Sequence, residues 1–155
     1  GLVAHYFGDK AGLLQAAFRH LAHELGEEFR RSAVQAATPR ERLEALIDAN
    51  FAKSQSSPEV VSAWLAFWGQ VNYRPELARI QRVVTGRMRS NLRYSLRALV
   101  PAEQAGRIAT GLSALIDGLW LRAMLASGGV EVAEARALAH DYLSTQLSAN
   151  RSSDA

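Results

Sequence analysis

Four prolines divide the sequence into segments, and their spacing constrains the fold more than any other feature. Pro39, Pro58, Pro75 and Pro101 each follow a break in the helical pattern. Proline is tolerated at the first position of a helix but costs about 3 kcal/mol in its interior. We therefore predict helices that begin at these prolines and end near residues 54, 73, 99 and 127. Since no segment alternates as a strand does, the predicted fold is all-α.

Two more helices complete the predicted bundle. Asp9 follows Gly8 and is a suitable N-cap for an amphipathic helix that runs to about Ala36. After the pair Gly128 and Gly129, apolar residues recur at helical spacing from about Glu131 to Leu147. The polar residues that follow, 148–155, are predicted to be disordered.

Composition narrows the class of protein. The chain has no cysteine, an apolar fraction of 48% and a charged fraction of 21%, which are values of a globular domain without disulfides or thiolate zinc sites. The longest uncharged run, Val60–Tyr73, is shorter than the roughly 20 residues of a membrane-spanning helix. With no signal peptide, we expect a cytoplasmic protein. There is no phosphate-binding loop and no nucleophile elbow, so we predict neither an enzyme nor a cofactor.

An aromatic cluster lies in the helix that starts at Pro58. The segment Ala63–Trp68 reads AWLAFW, so Trp64 and Trp68 share one helix face and Phe67 lies beside them. The negative faces of aromatic rings suit a quaternary ammonium ion, which has no hydrogen to donate. The alternative is that these rings are ordinary core.

The helix after Pro101 carries one acid among apolar residues. Asp117 and Trp120 are three residues apart and therefore share a side of the helix, where they could face a ligand. The alternative is that an arginine of a neighbouring helix holds Asp117 and that Trp120 is core. Gly111 and Gly118 lie on one face, where they would let another helix approach closely.

The helix after Pro75 is rich in arginine. Such a run could follow phosphates, but it is more often a solvated face paired with acids elsewhere. Its members are Arg79, Arg82, Arg87, Arg89, Arg93 and Arg97. Asn91 and Ser95 are predicted to point inward as polar contacts. His20, His23 and Glu24 have a spacing compatible with metal ligands, but their face also carries Glu27, and no metal site is predicted.

The segment Gly1–Leu14, GLVAHYFGDKAGLL, together with the helices that begin at prolines, resembles a TetR-type bacterial repressor that lacks its first two helices. Phe7, Lys10 and Leu14 match positions of that family. Ala4 departs from a frequent tyrosine, and the order His5-Tyr6 reverses the more common one. HYFGDKAGLL, AWLAFW and LSALIDGLWLRA are similar, in the same order, to segments of the choline-responsive repressors of the glycine betaine pathway.

The resemblance implies a domain organisation and a set of sites. Residues 1–8 would be the end of a helix-turn-helix, 9–36 a linking helix, 37–147 a domain for ligand binding and dimerisation, and 148–155 the tail. Operator DNA would be contacted by Gly1, Leu2, Val3, Ala4, His5, Tyr6 and Lys10. A choline-like cation would be bound by Trp64, Phe67, Trp68, Asn91, Asp117 and Trp120. A homodimer would form through Gly111, Ala114, Gly118, Leu138 and Tyr142.

Three alternatives remain open from the sequence. The first is a TetR-type sensor of another compound, which would be an anion if arginine side chains enter the pocket. The second is a helical dimer that binds a ligand or protein but no DNA, and the third and most distant is a helical enzyme. Because the sequence opens within the segment that resembles a recognition helix, we expect this chain alone to bind operator DNA weakly or not at all.

Overall fold

The computed structural model describes residues 2–125 and 130–152, and only the helical backbone of residues 2–9, 151 and 152. The described residues form α-helices and a short 3₁₀ turn, Lys53–Gln55, with no strand among them, which confirms the all-α prediction. The helices are α1 (Leu2–Ala33), α2 (Pro39–Asn50), α3 (Pro58–Val71), α4 (Pro75–Leu96), α5 (Ala102–Met124) and α6 (Val132–Ser152). None of these helices combines the length and hydropathy that crossing a bilayer requires.

The prolines mark the helix starts as predicted. Three of them are in the first turn of α2, α3 and α4, and Pro101 directly precedes α5. The start of α2 is a capping box, in which the Glu41 amide donates to Thr38 Oγ1 (3.1 Å) and the Thr38 amide donates to Glu41 Oε2 (3.2 Å). The Val60 amide donates to Ser57 Oγ at the start of α3. These caps satisfy amides that no helical carbonyl can reach.

The structure corrects several predicted boundaries. Helix α2 ends at Asn50, before the predicted end near residue 54. Helix α1 begins at Leu2 and is continuous through Gly8 and Asp9, whereas we predicted that Asp9 caps the start of the long helix. A glycine inside a helix costs only about 1 kcal/mol, so it cannot by itself end a helix that has no proline. Helix α6 continues to Ser152, past the predicted end at Leu147, because no glycine or proline stops it. The rest of the predicted disordered tail, 153–155, lies outside the described residues.

Helix α5 packs between α4 and α6. Its side chains Leu112 and Ile116 are almost fully buried, and burying a side chain of this kind contributes about 1.5 to 3 kcal/mol. At Gly111 the Tyr142 hydroxyl oxygen lies only 2.5 Å from the position that a Cβ atom would occupy. Gly111 therefore leaves room for the tip of the Tyr142 side chain, which reaches α5 from α6 of the same chain.

Polar contacts join α6 to α2 at the surface. The Asp48 carboxylate lies 2.8 Å from His140 Nε2 and 3.8 Å from Arg136 Nε. The Arg40 guanidinium donates to Ser144 Oγ (2.8 Å). Because these side chains are only partly buried, each contact contributes little, about 0 to 1 kcal/mol, and mainly fixes how the two helices meet.

Candidate functional site

A cavity lies where the 3₁₀ turn meets five of the helices. It has about 540 Å³ of space free of protein atoms, including the part that opens to solvent. Helices α1 to α5 and the turn all contribute to its wall, which is mostly apolar. The lining residues are Leu25, Asn50, Gln55, Trp64, Trp68, Gln81, Val84, Thr85, Met88, Ser113, Ile116, Asp117 and Trp120.

Three indole rings form one side of this cavity. The ring centroids of Trp64 and Trp68 are 6.4 Å apart, with an angle of 42° between the planes. Trp68 and Trp120 make an edge contact, with centroids 5.4 Å apart and an angle of 83°. Trp64 and Trp120 are each 6% exposed, whereas Trp68 is only partly buried. Trp68 therefore lies against both other rings, and all three border the cavity.

Trp120 is fixed in place by a buried hydrogen bond. Its indole Nε1–H donates to the backbone carbonyl of Gln55, at 3.2 Å. A buried indole needs such a partner for its one polar group. The bond leaves the apolar face of the ring free to form cavity wall, and it joins α5 to the 3₁₀ turn.

Asp117 is the single ionisable residue in the cavity wall that the structure describes. No described side chain donates a hydrogen bond to it or forms an ion pair with it. Burial raises the pKa of Asp117 from its ordinary 3.8 to about 6, because the charged carboxylate loses hydration there. The alternative in which a neighbouring arginine holds Asp117 is thus not found. A cation in the cavity would supply the missing countercharge.

Two of the predicted ligand-binding residues do not line the cavity. Phe67 is completely buried and packs on Phe18, with ring centroids 4.4 Å apart. It belongs to the core between α3 and α1, since it faces away from the side that Trp68 shares with the cavity. Asn91 lies three residues beyond Met88, the last cavity residue on α4, which is about 4.5 Å further along the helix.

Sequence reasoning missed most of the polar wall. Gln81 and Thr85 are one turn apart, on the same face of α4 as Val84 and Met88. The sequence contains this signal, because these four residues form the one face of the helix that carries no arginine. Gln55 gave no signal of this kind, because it is brought to the cavity by a 3₁₀ turn at the place where the helix from Pro39 was predicted only to end.

The arginines of α4 point away from the cavity. All six predicted members of the run are exposed, and none lines the wall. The predicted solvated face is therefore confirmed, but the predicted pairing with acids is not, since no ion pair among the described residues includes any of the six. Since the described wall contains no lysine, arginine or histidine, its electrostatic character comes from Asp117 alone.

The predicted DNA-contacting residues are only partly described. Gly1 lies outside the described residues, as do the side chains of Leu2, Val3, Ala4, His5 and Tyr6, whose backbone is part of α1. Lys10 is exposed near the start of the same helix. These contacts with DNA remain predictions.

The predicted dimer residues fall into two groups. Ala114, Gly118 and Leu138 are exposed on α5 and α6, and Leu138 has 43% of its surface accessible. Gly111 and Tyr142, in contrast, contact each other within the chain. The exposed group is thus available to a second copy, whereas Gly111 already has a partner in its own chain.

The two histidines that have metal-ligand spacing, His20 and His23, lie on the surface of α1. His23 lies 3.7 Å from Glu27. Within residues 10–125 and 130–150, no cluster of histidine, aspartate and glutamate side chains could hold a metal ion.

A helical bundle with a partly enclosed cavity behind a long first helix is the organisation of ligand-responsive regulators of the TetR family. A family model described as "BetI-type transcriptional repressor, C-terminal" matches residues 39–148. The chain belongs to the TetR family and, within it, to the BetI-type transcriptional repressors.

Relatives and solved structures agree with this assignment. The chain is 45% identical to the HTH-type transcriptional regulator BetI 1 of Chromohalobacter salexigens, over 98% of this chain and 76% of that protein. It is 46% identical to the regulator BetI of Burkholderia cenocepacia, over 97% of this chain and 78% of that protein. Its fold is similar to the crystal structure of a TetR transcription regulator from Haloarcula marismortui, with a TM-score of 0.76 and 26% identity over 91% of this chain and 81% of that one.

Proposed function

We propose that this protein is a ligand-responsive, DNA-binding repressor that senses choline or a related quaternary ammonium compound and controls the synthesis or uptake of glycine betaine. The observation that carries the proposal is the cavity in which Trp64, Trp68 and Trp120 lie beside Asp117, a carboxylate without a described partner. Operator DNA is cytoplasmic, so the proposal places the protein there.

The chemistry of the cavity favours a cation that makes no hydrogen bonds through its charged group. Each indole face would contribute about 0.5 to 1 kcal/mol to the binding of such a cation, or more where water is excluded. Asp117 would supply the countercharge, and the apolar wall would bury the methyl groups. After the cost of association, these contributions support an affinity no better than micromolar, which suits a sensor of a metabolite.

The cavity is connected to α1 in two ways. Leu25 of α1 is part of the cavity wall. One turn later, the Glu28 carboxylate accepts a hydrogen bond from Ser54 Oγ (2.9 Å) in the 3₁₀ turn, and hydrogen bonds from Arg31 and Ser54 lower the pKa of Glu28. The same turn accepts the hydrogen bond of Trp120 through the Gln55 carbonyl.

A ligand beside Trp120 would therefore act on α1 through this turn. Binding can shift the tilt of α1 only if the ligand prefers one of its positions, and the coupling in such systems is typically 1 to 3 kcal/mol. At the far end of α1, His5, Tyr6 and Lys10 would contact phosphates and residues 1–4 would approach bases, as the family resemblance implies. A tilt would change the spacing of two recognition helices, which must be about 34 to 36 Å apart to enter successive major grooves.

A homodimer would provide the second recognition helix. Ala114 and Gly118 form a smooth exposed face on α5, and nothing lies within 4 Å of a Cβ placed on Gly118. Leu125 at the end of α5 and Leu138 on α6 are 46% and 43% exposed. Small residues that admit a close helix, flanked by exposed leucines, suit a two-fold packing of α5 and α6 against the same helices of a second copy.

The direct test is a titration of tryptophan fluorescence with choline, checked by calorimetry. We expect saturable quenching or a spectral shift in the micromolar to low millimolar range. Trp68→Ala should weaken binding about tenfold, whereas Tyr73→Ala, an exposed aromatic just beyond α3, should leave it unchanged. If emission stays constant and no heat is released up to tens of millimolar choline, the proposed ligand is wrong.

A further inference from the structure

Helix α4 has different chemistry on its two faces. One face borders the cavity through four residues that carry no charge: Gln81, Val84, Thr85 and Met88. At about 100° per residue, five arginines fall within an arc of about 80° on the opposite face, and they span about 27 Å of the helix axis. We call this set the arginine stripe; it consists of Arg79, Arg82, Arg89, Arg93 and Arg97.

The chain provides no countercharge for the arginine stripe. All five side chains are exposed, and none forms an ion pair or a side-chain hydrogen bond with another described residue. The sequence contains no acid between Glu76 and Glu103. Since like charges four residues apart destabilise a helix, the steps from Arg89 to Arg93 and from Arg93 to Arg97 are unfavourable in the free protein.

A glycine lies at the middle of the stripe. Gly86 is exposed between Arg82 and Arg89, and no atom from another part of the chain lies within 4 Å of the position that its Cβ would occupy. Glycine weakens a helix, and no contact within the chain requires this one. It leaves the helix backbone open to a partner among the arginines.

One more cation without a countercharge lies beside the C-terminal part of the stripe. The Arg42 guanidinium of α2 lies over the ring of Tyr94, 5.8 Å from its centroid. Arg42 forms no ion pair with a described residue, and its buried Nε has no hydrogen-bond partner among them. Since buried donors are paired in the great majority of cases, this atom is a second sign that an anion is missing on this side.

The partner that suits these features best is the phosphate backbone of duplex DNA. Arginine pairs with phosphate oxygens through two parallel hydrogen bonds, and a duplex presents such charges along its whole length. A bilayer would require an apolar helix face for insertion, but the apolar face of α4 is part of the cavity wall. A protein interface would require apolar or aromatic anchors at its centre, where the stripe has only arginines and Gly86.

We propose that the arginine stripe is a second DNA-binding surface of this repressor, which contacts phosphates without regard to sequence. It is remote from the recognition end, because Met88 borders the same cavity as Leu25, which lies about 35 Å from Leu2 along α1. The stripe would therefore hold a stretch of duplex other than the one that the recognition helix reads. This role does not depend on which ligand the cavity binds.

The test is the fluorescence anisotropy of a labelled duplex of arbitrary sequence, titrated with this chain at several salt concentrations. We expect a dissociation constant of about 1 to 10 µM at about 50 mM salt. Its logarithm should change with that of the salt concentration as five phosphate contacts require, so that the association constant falls with a slope of about −4.

Two triple variants assign this binding to the stripe. The first should bind the duplex at least about 50-fold more weakly, with a slope of about −2; it combines Arg82→Gln, Arg89→Gln and Arg93→Gln. The control removes the same net charge from exposed positions of α1 and should bind within about threefold of the wild type; it combines Arg19→Gln, Arg30→Gln and Arg31→Gln. Circular dichroism melts verify that both variants fold.

Distinct results separate this inference from the proposed function. Equal weakening in the two triple variants would mean that DNA binding follows net charge alone, and it overturns the inference, as does the absence of binding at low salt. Tighter binding to vesicles of phosphatidylglycerol and phosphatidylcholine than to the duplex overturns it as well. Choline titrations should be unchanged in both variants, since none of the six arginines lines the cavity.

Discussion

Asp48 and Asp117 are both aspartates within helices of the bundle, but they differ in burial and in their charged partners. Asp48, at the surface between α2 and α6, has His140 at 2.8 Å and Arg136 at 3.8 Å. Asp117 faces the cavity and has no cationic partner among the described residues. Burial raises its pKa to about 6, whereas its environment offers nothing to lower it.

The difference separates a structural acid from one that is available to a ligand. A surface ion pair such as that of Asp48 contributes modestly to stability, and its removal leaves no buried charge behind. A carboxylate held in a cavity without a partner instead makes the empty protein less stable, because its charge has lost hydration. Such a cost is expected where the same charge is used for binding.

The largest expected effect is on stability, with opposite signs at the two positions. A carboxyl group with a raised pKa keeps its proton in the folded state after the unfolded chain has lost it, so its contribution to stability falls between pH 3.8 and about 6 and stays low above. At pH 7, Asp117→Asn should therefore stabilise the empty protein by up to about 3 kcal/mol. Asp48→Asn should destabilise it by about 0.5 to 1 kcal/mol.

Urea denaturation of the two variants at pH 7 measures this difference. At pH 4, where the wild-type Asp117 is protonated in the folded state, the gain from Asp117→Asn should nearly vanish. A loss of stability in Asp117→Asn at pH 7 would mean that the carboxylate has a favourable partner. The two aspartates would then not differ in the way described.

The next effect is on affinity. Asp117→Asn removes the countercharge of the bound cation, and we expect choline to bind about 10- to 50-fold more weakly. Asp48→Asn leaves the cavity unchanged and should alter the dissociation constant by less than about twofold. Calorimetric titrations at pH 7.5 provide both values. Equal losses in the two variants would show that the effect is not specific to the cavity.

The affinity should also depend on pH through Asp117. Choline does not titrate, and the described wall has no other ionisable group, so binding should follow the ionised fraction of this carboxyl. With a pKa of about 6 in the empty protein, roughly a tenth of it is ionised at pH 5, and choline should bind about tenfold more weakly there than at pH 7.5. In Asp117→Asn the affinity should be nearly the same at both values.

The smallest effect concerns the connection to α1. Ser54→Ala removes the hydrogen bond to Glu28 but leaves the cavity wall intact. It should keep the affinity for choline within about twofold. In a protein that carries a complete helix-turn-helix ahead of α1, the change in operator affinity on adding choline should shrink about threefold. Fluorescence anisotropy with labelled operator measures this change. Ser62→Ala, an exposed position on α3, is the control.

The sequence predicted the helices well because their starts depend on local chemistry. The capping box at Thr38 and the prolines act within four residues, so they can be read without knowledge of the fold. The break at Gly8 was predicted wrongly because a glycine, unlike a proline, does not decide by itself where a helix starts. A glycine weakens a helix without stopping it, and the neighbouring turns decide whether the helix continues.

The cavity was only partly predictable. The helical spacing of Trp64 with Trp68 and of Asp117 with Trp120 correctly indicated shared faces. Which face points to an empty space depends on how helices distant in sequence pack together. That packing placed Phe67 in the core and brought in the 3₁₀ turn, so neither could be assigned from periodicity alone.

The proposed function requires above all that Asp117 is unpaired in the empty protein and becomes the partner of a bound cation. The most direct measurement is a pH titration of the side-chain carboxyl carbon of Asp117 by NMR, without and with saturating choline. We predict a pKa of about 6 in the empty protein and a clearly lower one when choline is bound, because the cation stabilises the ionised form. An ordinary midpoint in the empty protein, or a midpoint that choline does not move, would contradict the account.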